Sequence, residues 1–564
     1  MNLFGADVRA LDVEAFLSGA RALFPVLAVA WLLVMLRVGS LRRPEWLLAG
    51  VLMANAWAWG ETNWPLQRLY ALGPSSDRIN NIAMCQGVAA GHSPLQTPQV
   101  GHVHFEPFWG MLTAILSGFS PPRLLRLYAF LPLLTMWAFA LSVFYALRPP
   151  PGSPEGAWSG WERALVAGAA TLLSSAPLDP AGTYRVPWAM TFLLKPNHAV
   201  GLVLLPWVLR SFAGISGWRS RIATGVLLHL MGWAFVIHMG ATCIGLVVLV
   251  LLGIAAGRAE ARRDAGDVAA VIGINLLVVS PYLVLLLLGH GVFQGNPRHQ
   301  IPAFSPHLLE ATARLGWLLP LAVWGAVVAW RRDRLGRAWA AQLVGALALW
   351  LAFYPLSALD QAKERDDVLY WLRFLAAALA AVGAWDLAVR GARRLGGMAA
   401  EHLRAPHRIA AALAFAALPA ALPYWWDPGR MDLYFPGSLT PLPPSVTEPA
   451  RALAGSRGGV IAGDPGAARW IAALTGRQVI LARDFPKSKD YDARLRLNEM
   501  LLRGDAAAAA EAARYGVSHF VVTSLELAAS GLTLEDLQRS PLLVPLAVGR
   551  DADGSFSALF EVRS

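Results

Sequence analysis

The sequence predicts a polytopic α-helical membrane protein of about twelve transmembrane helices, followed by a C-terminal extracytoplasmic α/β domain. Three observations lead there. The 564 residues are 56% hydrophobic and only 15% charged, whereas a soluble globular chain is usually nearer a quarter charged. Long apolar runs, separated by short arginine clusters, recur as far as residue 426. Beyond it a Pro-rich stretch leads into alternating strand-like and helical segments. The net charge of +11 does not indicate nucleic acid. The arginines lie between apolar runs rather than along one face, which is the pattern of cytoplasmic loops.

The first apolar run, Ala20 to Leu36, ends at Arg37, Arg42 and Arg43, and the second covers Trp46 to Trp59. Asp7, Asp12 and Glu14 precede the first run, and arginine dominates between the two. The positive-inside rule then puts the N-terminus outside and the arginine loop in the cytoplasm. With Arg9 as its only basic residue, Met1 to Ala15 lacks the basic region of a cleavable signal peptide. Further spans are expected near 124–147, 163–178, 197–213, 221–235, 238–256, 267–288, 313–330, 338–357, 369–388 and 408–424, with Ile222 to Gly253 ambiguous. Expected inner loops hold Arg210, Arg219 and Arg221; Arg258, Arg262 and Arg263; Arg331, Arg332, Arg334 and Arg337; and Arg390, Arg393, Arg394, Arg404 and Arg408. The outer loops are sparser in arginine.

The divisions are a transmembrane part over 1–426 with its first large outer loop at 60–123, a linker at 427–448, and the outer domain at 449–564. In that domain GGVIAGD (Gly458 to Asp464), QVILA (Gln478 to Ala482) and SHFVVTS (Ser518 to Ser524) read as strands. Leu542 to Val562 reads as a hairpin turning at Asp553-Gly554. Alternating strands and helices favour a small parallel sheet with helices on its faces. The glycine turn at Gly463 to Gly466 lacks dinucleotide-binding spacing and reads as structural. Cys85 and Cys243 lie in different settings, which excludes a disulfide framework.

Candidate chemistry gathers in three polar patches. The first is Ser76 to Trp109, where Asp77 opens a stretch with helical character, Arg78 to Ala90. An Asp there is a helix cap in most proteins. At the boundary of a large outer loop it is also placed to act as a general base on a lipid-linked substrate. His102, His104 and Glu106 form an HxHxE pattern whose alternate residues share one face of a strand. They suit contact with sugar hydroxyls, or a divalent metal such as zinc or manganese; no cofactor is otherwise expected. Pro107 to Leu116 reads as an interfacial helix with Phe108 and Trp109 at headgroup depth. The second patch is Thr183 to Ala199, with Tyr184, Arg185, Lys195, Asn197 and His198. Lys195 there either snorkels or neutralises a phosphate. The third is Ala358 to Phe374, with Arg365, Tyr370 and Arg373. A charge at the bilayer centre costs about 3 kcal/mol, so Arg373 needs a partner: a lipid phosphate, or Glu364, Asp366 or Asp367. Arg298 and His299 in GNPRHQ are a lesser version. His229 and His238 read as buried, hydrogen-bonded histidines.

The combination resembles the GT-C superfamily of membrane glycosyltransferases. The features that carry the likeness are Asp77 followed by GVAAGHSP (Gly87 to Pro94) and HFEPFWGMLTAIL (His104 to Leu116), then KPNHAVGLVLLPWVL (Lys195 to Leu209). To these are added the arginine-bearing span VLYWLRFLAAALAAVGAWDL and the C-terminal outer domain. The resemblance implies a sugar donor on polyprenyl phosphate, a glycan, lipid or protein acceptor, and a site on the periplasmic face of a bacterial inner membrane. It implies Asp77 as base, with Lys195, Arg365 and Arg373 on the phosphate. Many members carry paired acids, but here Arg78 follows Asp77. Tyr424 to Gly429, YWWDPG, is similar to the WWDYG motif of oligosaccharyltransferases with Pro428 in place of the Tyr. Many spans with scattered charges also fit a multi-span transporter or lipid flippase, although no internal repeat is visible. A structural protein whose outer domain binds a partner is a third reading.

Overall fold

A computed structural model describes residues 43–69, 77–101, 107–120, 131–148, 158–173, 196–287, 318–356, 364–394, 405–425, 443–453, 458–482 and 490–563, with a few single positions between. The helical part comprises α1 (Pro44–Leu69), α2 (Asp77–Ala89), α3 (Pro107–Leu116), α4 (Leu131–Ala146), α5 (Gly160–Gly168) running into a π-turn (Ala169–Leu173), and α6 (Pro196–Ala213). It continues with α7 (Trp218–Ala234), α8 (Val236–Ala255), α9 (Ala261–Leu287), α10 (Leu318–Arg332), α11 (Arg334–Leu356), α12 (Glu364–Arg394) and α13 (Pro406–Trp425). Among the described residues three helices are long and apolar enough to cross a membrane: Val236–Ala255, Arg334–Ala352 and Trp371–Arg394. The ambiguous stretch Ile222 to Gly253 divides at Phe235, whose extended backbone (φ −161°) ends α7 and starts α8.

The bundle packs around a core containing Phe139, Phe144, Phe212, Trp350 and Trp371. Helices α10 and α12 approach so closely that a Cβ on Gly325 or Gly383 would overlap the facing backbone. Small residues permit this contact, which replaces the hydrophobic drive that is missing between helices in lipid.

The arginine-rich end of the bundle is neutralised from within. Buried Asp267 on α9 accepts from Arg221 (2.8 Å) and Arg334 (2.5 Å), and Arg334 also reaches Asp264 (2.9 Å). Arg332 pairs with Glu162 at 2.7 Å and lies over the Trp158 ring. Trp158 in turn donates to Asp333. These acids tie α5, α7, α9, α10 and α11 together at one end.

The C-terminal part begins with α14 (Pro444–Leu453). This helix starts inside the stretch expected to be a linker. Its Ser445 hydroxyl donates to Asp551 at 2.6 Å and pins the helix to the end of β3. There follow β1 (Val460–Gly463), α15 (Pro465–Thr475), α16 (Tyr491–Arg503), α17 (Ala508–Arg514), β2 (Val517–Thr523), α18 (Ser524–Ser530), α19 (Leu534–Gln538), β3 (Leu543–Arg550) and β4 (Phe556–Val562). The strand order is β1-β2-β4-β3. β1 and β2 are parallel, while β4 runs antiparallel to both β2 and β3. The sheet is therefore mixed rather than purely parallel, because the closing hairpin adds on beside β2.

Alternation along the strands separates two cores, as side chains on successive residues point to opposite faces. Ile461, Val521 and Leu559 face α15. Phe520, Val522 and Phe560 face the side built with Leu497 and Leu501 of α16.

Candidate active site

Helix α2 opens at Asp77 and runs to Ala89, close to the helix that the sequence predicts. Its residues Ile79, Ile82, Ala83, Cys85, Val88 and Ala89 are all buried. They join one core with Trp109 of α3, Val200 at the start of α6, Ala234 at the end of α7, and Ala468, Ile471 and Ala472 of α15. The outer-loop helix is thus packed between the bundle and the C-terminal domain. Trp109 is 2% exposed, because α3 packs against α2, α6 and α7, so its ring faces protein. Burial pushes the Cys85 thiol up to about 12, so it stays protonated and inert.

The loop after α2 enters the domain's sheet. The Val100 amide donates to the Val479 carbonyl at 2.9 Å, and the Val479 amide donates to the Pro98 carbonyl at 2.8 Å. Val479 bridges Gln99 on one side and Ile461 of β1 on the other, both in parallel sense. Thr97 braces the segment, its hydroxyl donating to the Gln99 carbonyl at 3.1 Å and accepting from the Gln99 amide at 3.1 Å. Buried Arg494 lies beside Gly101 and donates to the Ile480 carbonyl and to Asp490. His102, His104 and Glu106 lie outside the described residues. The segment that holds them is anchored at Val100 before it and at buried Pro107 after it.

Gly476 caps α15 with φ +73°. A Cβ there would come within 2.6 Å of the Gln86 carbonyl, so this glycine sets how closely the domain approaches α2. His92 is half-buried at the same junction. Burial first, and the Arg477 charge second, hold its pKa below the usual value against a hydrogen bond with the Gly476 backbone.

The first turns of α6 and the third polar patch approach each other through His238 of α8, which the sequence marks as a buried histidine. Asn197 and His198 lie in the first turn of α6, where only the backbone is described. One turn later, a Cβ on Gly201 would overlap the His238 ring of α8. His238 stacks on Trp371 of α12 with centroids 4.4 Å apart, and Phe235 meets it edge-on. Arg373, two residues beyond Trp371, is 2% exposed, and neighbouring Phe374 packs edge-on against Phe139. Arg365 and Tyr370 occupy the preceding turns of the same helix. On an α-helix, Arg365 and Arg373 lie about 12 Å apart along the axis. The signal that could have found His238 is its cost: a polar ring within an apolar run marks a constrained position.

The side chains of Asp77 and Arg78 lie outside the described atoms, as do Tyr184, Lys195 and Arg298 altogether. Among the described residues no three His, Cys, Asp or Glu side chains stand together as a metal site. The turn at Gly463 to Gly466 is occupied by its own structure. Asn498 accepts from the Gly463 amide (2.9 Å) and donates to its carbonyl (2.7 Å), and Asp464 caps α15 through the Ala467 amide.

No family model matches the chain, and no curated protein matches its sequence. Solved structures do match its shape. One is the archaeal oligosaccharyltransferase AglB from Archaeoglobus fulgidus, in complex with an inhibitory peptide and a dolichol-phosphate. It is 12% identical with a TM-score of 0.51, over 91% of this chain and 74% of that one. Another is ArnT from Cupriavidus metallidurans in the apo state, 14% identical with a TM-score of 0.50, over 91% of this chain and 97% of that one. Both belong to the GT-C superfamily of membrane glycosyltransferases. Over nine-tenths of its length, this chain has the GT-C fold.

Proposed function

We propose that the protein is a membrane glycosyltransferase that moves a sugar from a polyprenyl-phosphate donor to an acceptor, at the bundle end covered by the C-terminal domain. The observation that carries this reading is the shared core that packs the Asp77-bearing helix against the domain, beside the start of α6. A likeness in fold to an enzyme solved with a dolichol-phosphate supports the donor class.

In this reading Arg373, Arg365 and Lys195 hold the donor phosphate and stabilise the charge that grows on it. The acceptor oxygen attacks the anomeric carbon while the bond from that carbon to the phosphate oxygen breaks. The bonding pair leaves with the lipid phosphate, and the acceptor proton passes to the Asp77 carboxylate. A base in this role contributes of order 10²–10⁴ in rate. Single displacement inverts the anomeric centre. His104 and Glu106 orient the sugar or the acceptor, with His102, Asn197, His198, Tyr184, Tyr370, Arg78 and Arg298 as further contacts. The domain caps the site.

The test is Asp77→Asn in lipid-reconstituted protein supplied with polyprenyl-phosphate sugars. Loss of transfer with donor binding retained supports the reading. Transfer near the wild-type rate removes Asp77 from the base role. Movement of the lipid across the membrane without a covalent product favours a flippase.

A further inference from the structure

The last turn of any helix leaves its carbonyls without intrahelical partners. At the arginine-rich end, the last turn of α4 is met by two arginines from other helices. Arg163 of α5 donates to the Phe144 carbonyl at 3.3 Å, and its guanidinium lies 4.7 Å over the Phe144 ring. Arg210 of α6 donates to the carbonyls of Tyr145 (3.3 Å), Ala146 (3.2 Å) and Arg148. Arg148 follows directly and is exposed. Its charge opposes both of the others.

Nearby arginines of this end are neutralised by Asp267, Asp264 and Glu162. Among the described residues, Arg148, Arg163 and Arg210 have no acid within ion-pair distance. Glu45 of α1 faces Arg163 without pairing with it. The Nε of Arg163 is buried with no hydrogen-bond partner among the described residues. Three aromatic side chains on the same helix ends are exposed: Trp46, Tyr145 and Trp207, the last with its ring N–H held by Ser142 at 3.0 Å. Exposed Trp and Tyr at the level of clustered arginine is the composition of a membrane interface.

We propose that Arg148, Arg163 and Arg210 form a binding site for the phosphate headgroup of an anionic phospholipid, in the leaflet opposite the C-terminal domain. A phosphodiester supplies the negative charge that the carbonyl acceptors do not, and charge-assisted pairs of this kind are strong. The exposed aromatics lie against the glycerol and upper acyl region. The site does not depend on the transfer reaction.

The test measures binding of short-chain phosphatidylglycerol and phosphatidylcholine to the full-length protein in detergent, with inorganic phosphate as competitor. The expected result is a clear preference for phosphatidylglycerol, weakened about fivefold by Arg148→Gln and unchanged by Arg394→Gln at the same end. Arg148 is the variant of choice, because Arg163 and Arg210 also cap α4. On the wild type, photoactivatable phosphatidylglycerol should label Trp46, residues 144–148 or residues 207–210. Equal affinity for the two lipids, or an equal loss in Arg394→Gln, overturns the site. Labelling confined to other regions overturns it as well. Full displacement by millimolar phosphate reassigns it as a simple anion site and overturns the lipid.

Discussion

The Val100 amide and the Val479 carbonyl, one in the first large polar loop and the other in the C-terminal domain, are hydrogen-bonded at 2.9 Å. With the return bond from Val479 to Pro98, the loop becomes part of the domain's sheet. The domain packs against the Asp77 helix and pairs with residues 98–100 of the loop that follows it.

Breaking that bridge should loosen the loop and leave the domain folded. Val100→Pro removes the donor. Amide exchange at residues 97–101 should rise, while exchange in β2 and β4 stays slow. The expected loss is about 1–3 kcal/mol, the cost of an unmade buried hydrogen bond.

Gly476→Ala should destabilise more than Gly531→Ala. Both glycines cap helices with nearly equal φ, +73° and +72°. The Gly531 site is open, whereas a Cβ at Gly476 meets Gln86. Backbone strain, about 1–2 kcal/mol, is common to both, so the difference in thermal unfolding reports the contact between domain and loop.

Asp267→Asn should lower stability by about 3–5 kcal/mol, because it leaves the Arg221 and Arg334 charges facing a neutral group. Asp264→Asn should cost less, because Arg334 keeps Asp267. Thermal unfolding in a fixed detergent checks the order.

Glu526 should make the domain less stable as pH rises. Burial, with the Asp464 charge second, pushes its pKa up to about 7 from an ordinary 4.5. The folded state then holds the proton more tightly than the unfolded one. The stability this lends is full below pH 4.5 and is lost on passing through about pH 7. Glu526→Gln should flatten that slope in thermal melts recorded from pH 4 to 8.

If Arg373 holds a donor phosphate, Arg373→Lys should raise the donor KM by about tenfold or more, because a point charge replaces a planar fork. Activity measured against donor concentration checks this. A fall in kcat alone would mark a contact made only in the transition state, and no change in either constant would remove Arg373 from the phosphate.

Much of the framework was legible locally. The apolar runs with arginine between them specified a membrane bundle. Helix α3 falls at Pro107–Leu116 and the Asp77 helix close to its expected bounds, because caps, prolines and periodicity act within a turn or two of the residues concerned. The hairpin around Asp553-Gly554 was readable for the same reason. Three pairings had no local signal: Gln99 beside Val479, His238 against Trp371, and Asp267 among arginines from two other helices. Each joins residues far apart in the chain, and which buried faces meet depends on how the whole bundle packs. Trp109 shows the limit most clearly. Its sequence neighbourhood marks an interfacial helix, but only tertiary packing decided that α2 and the ends of two bundle helices would bury its ring.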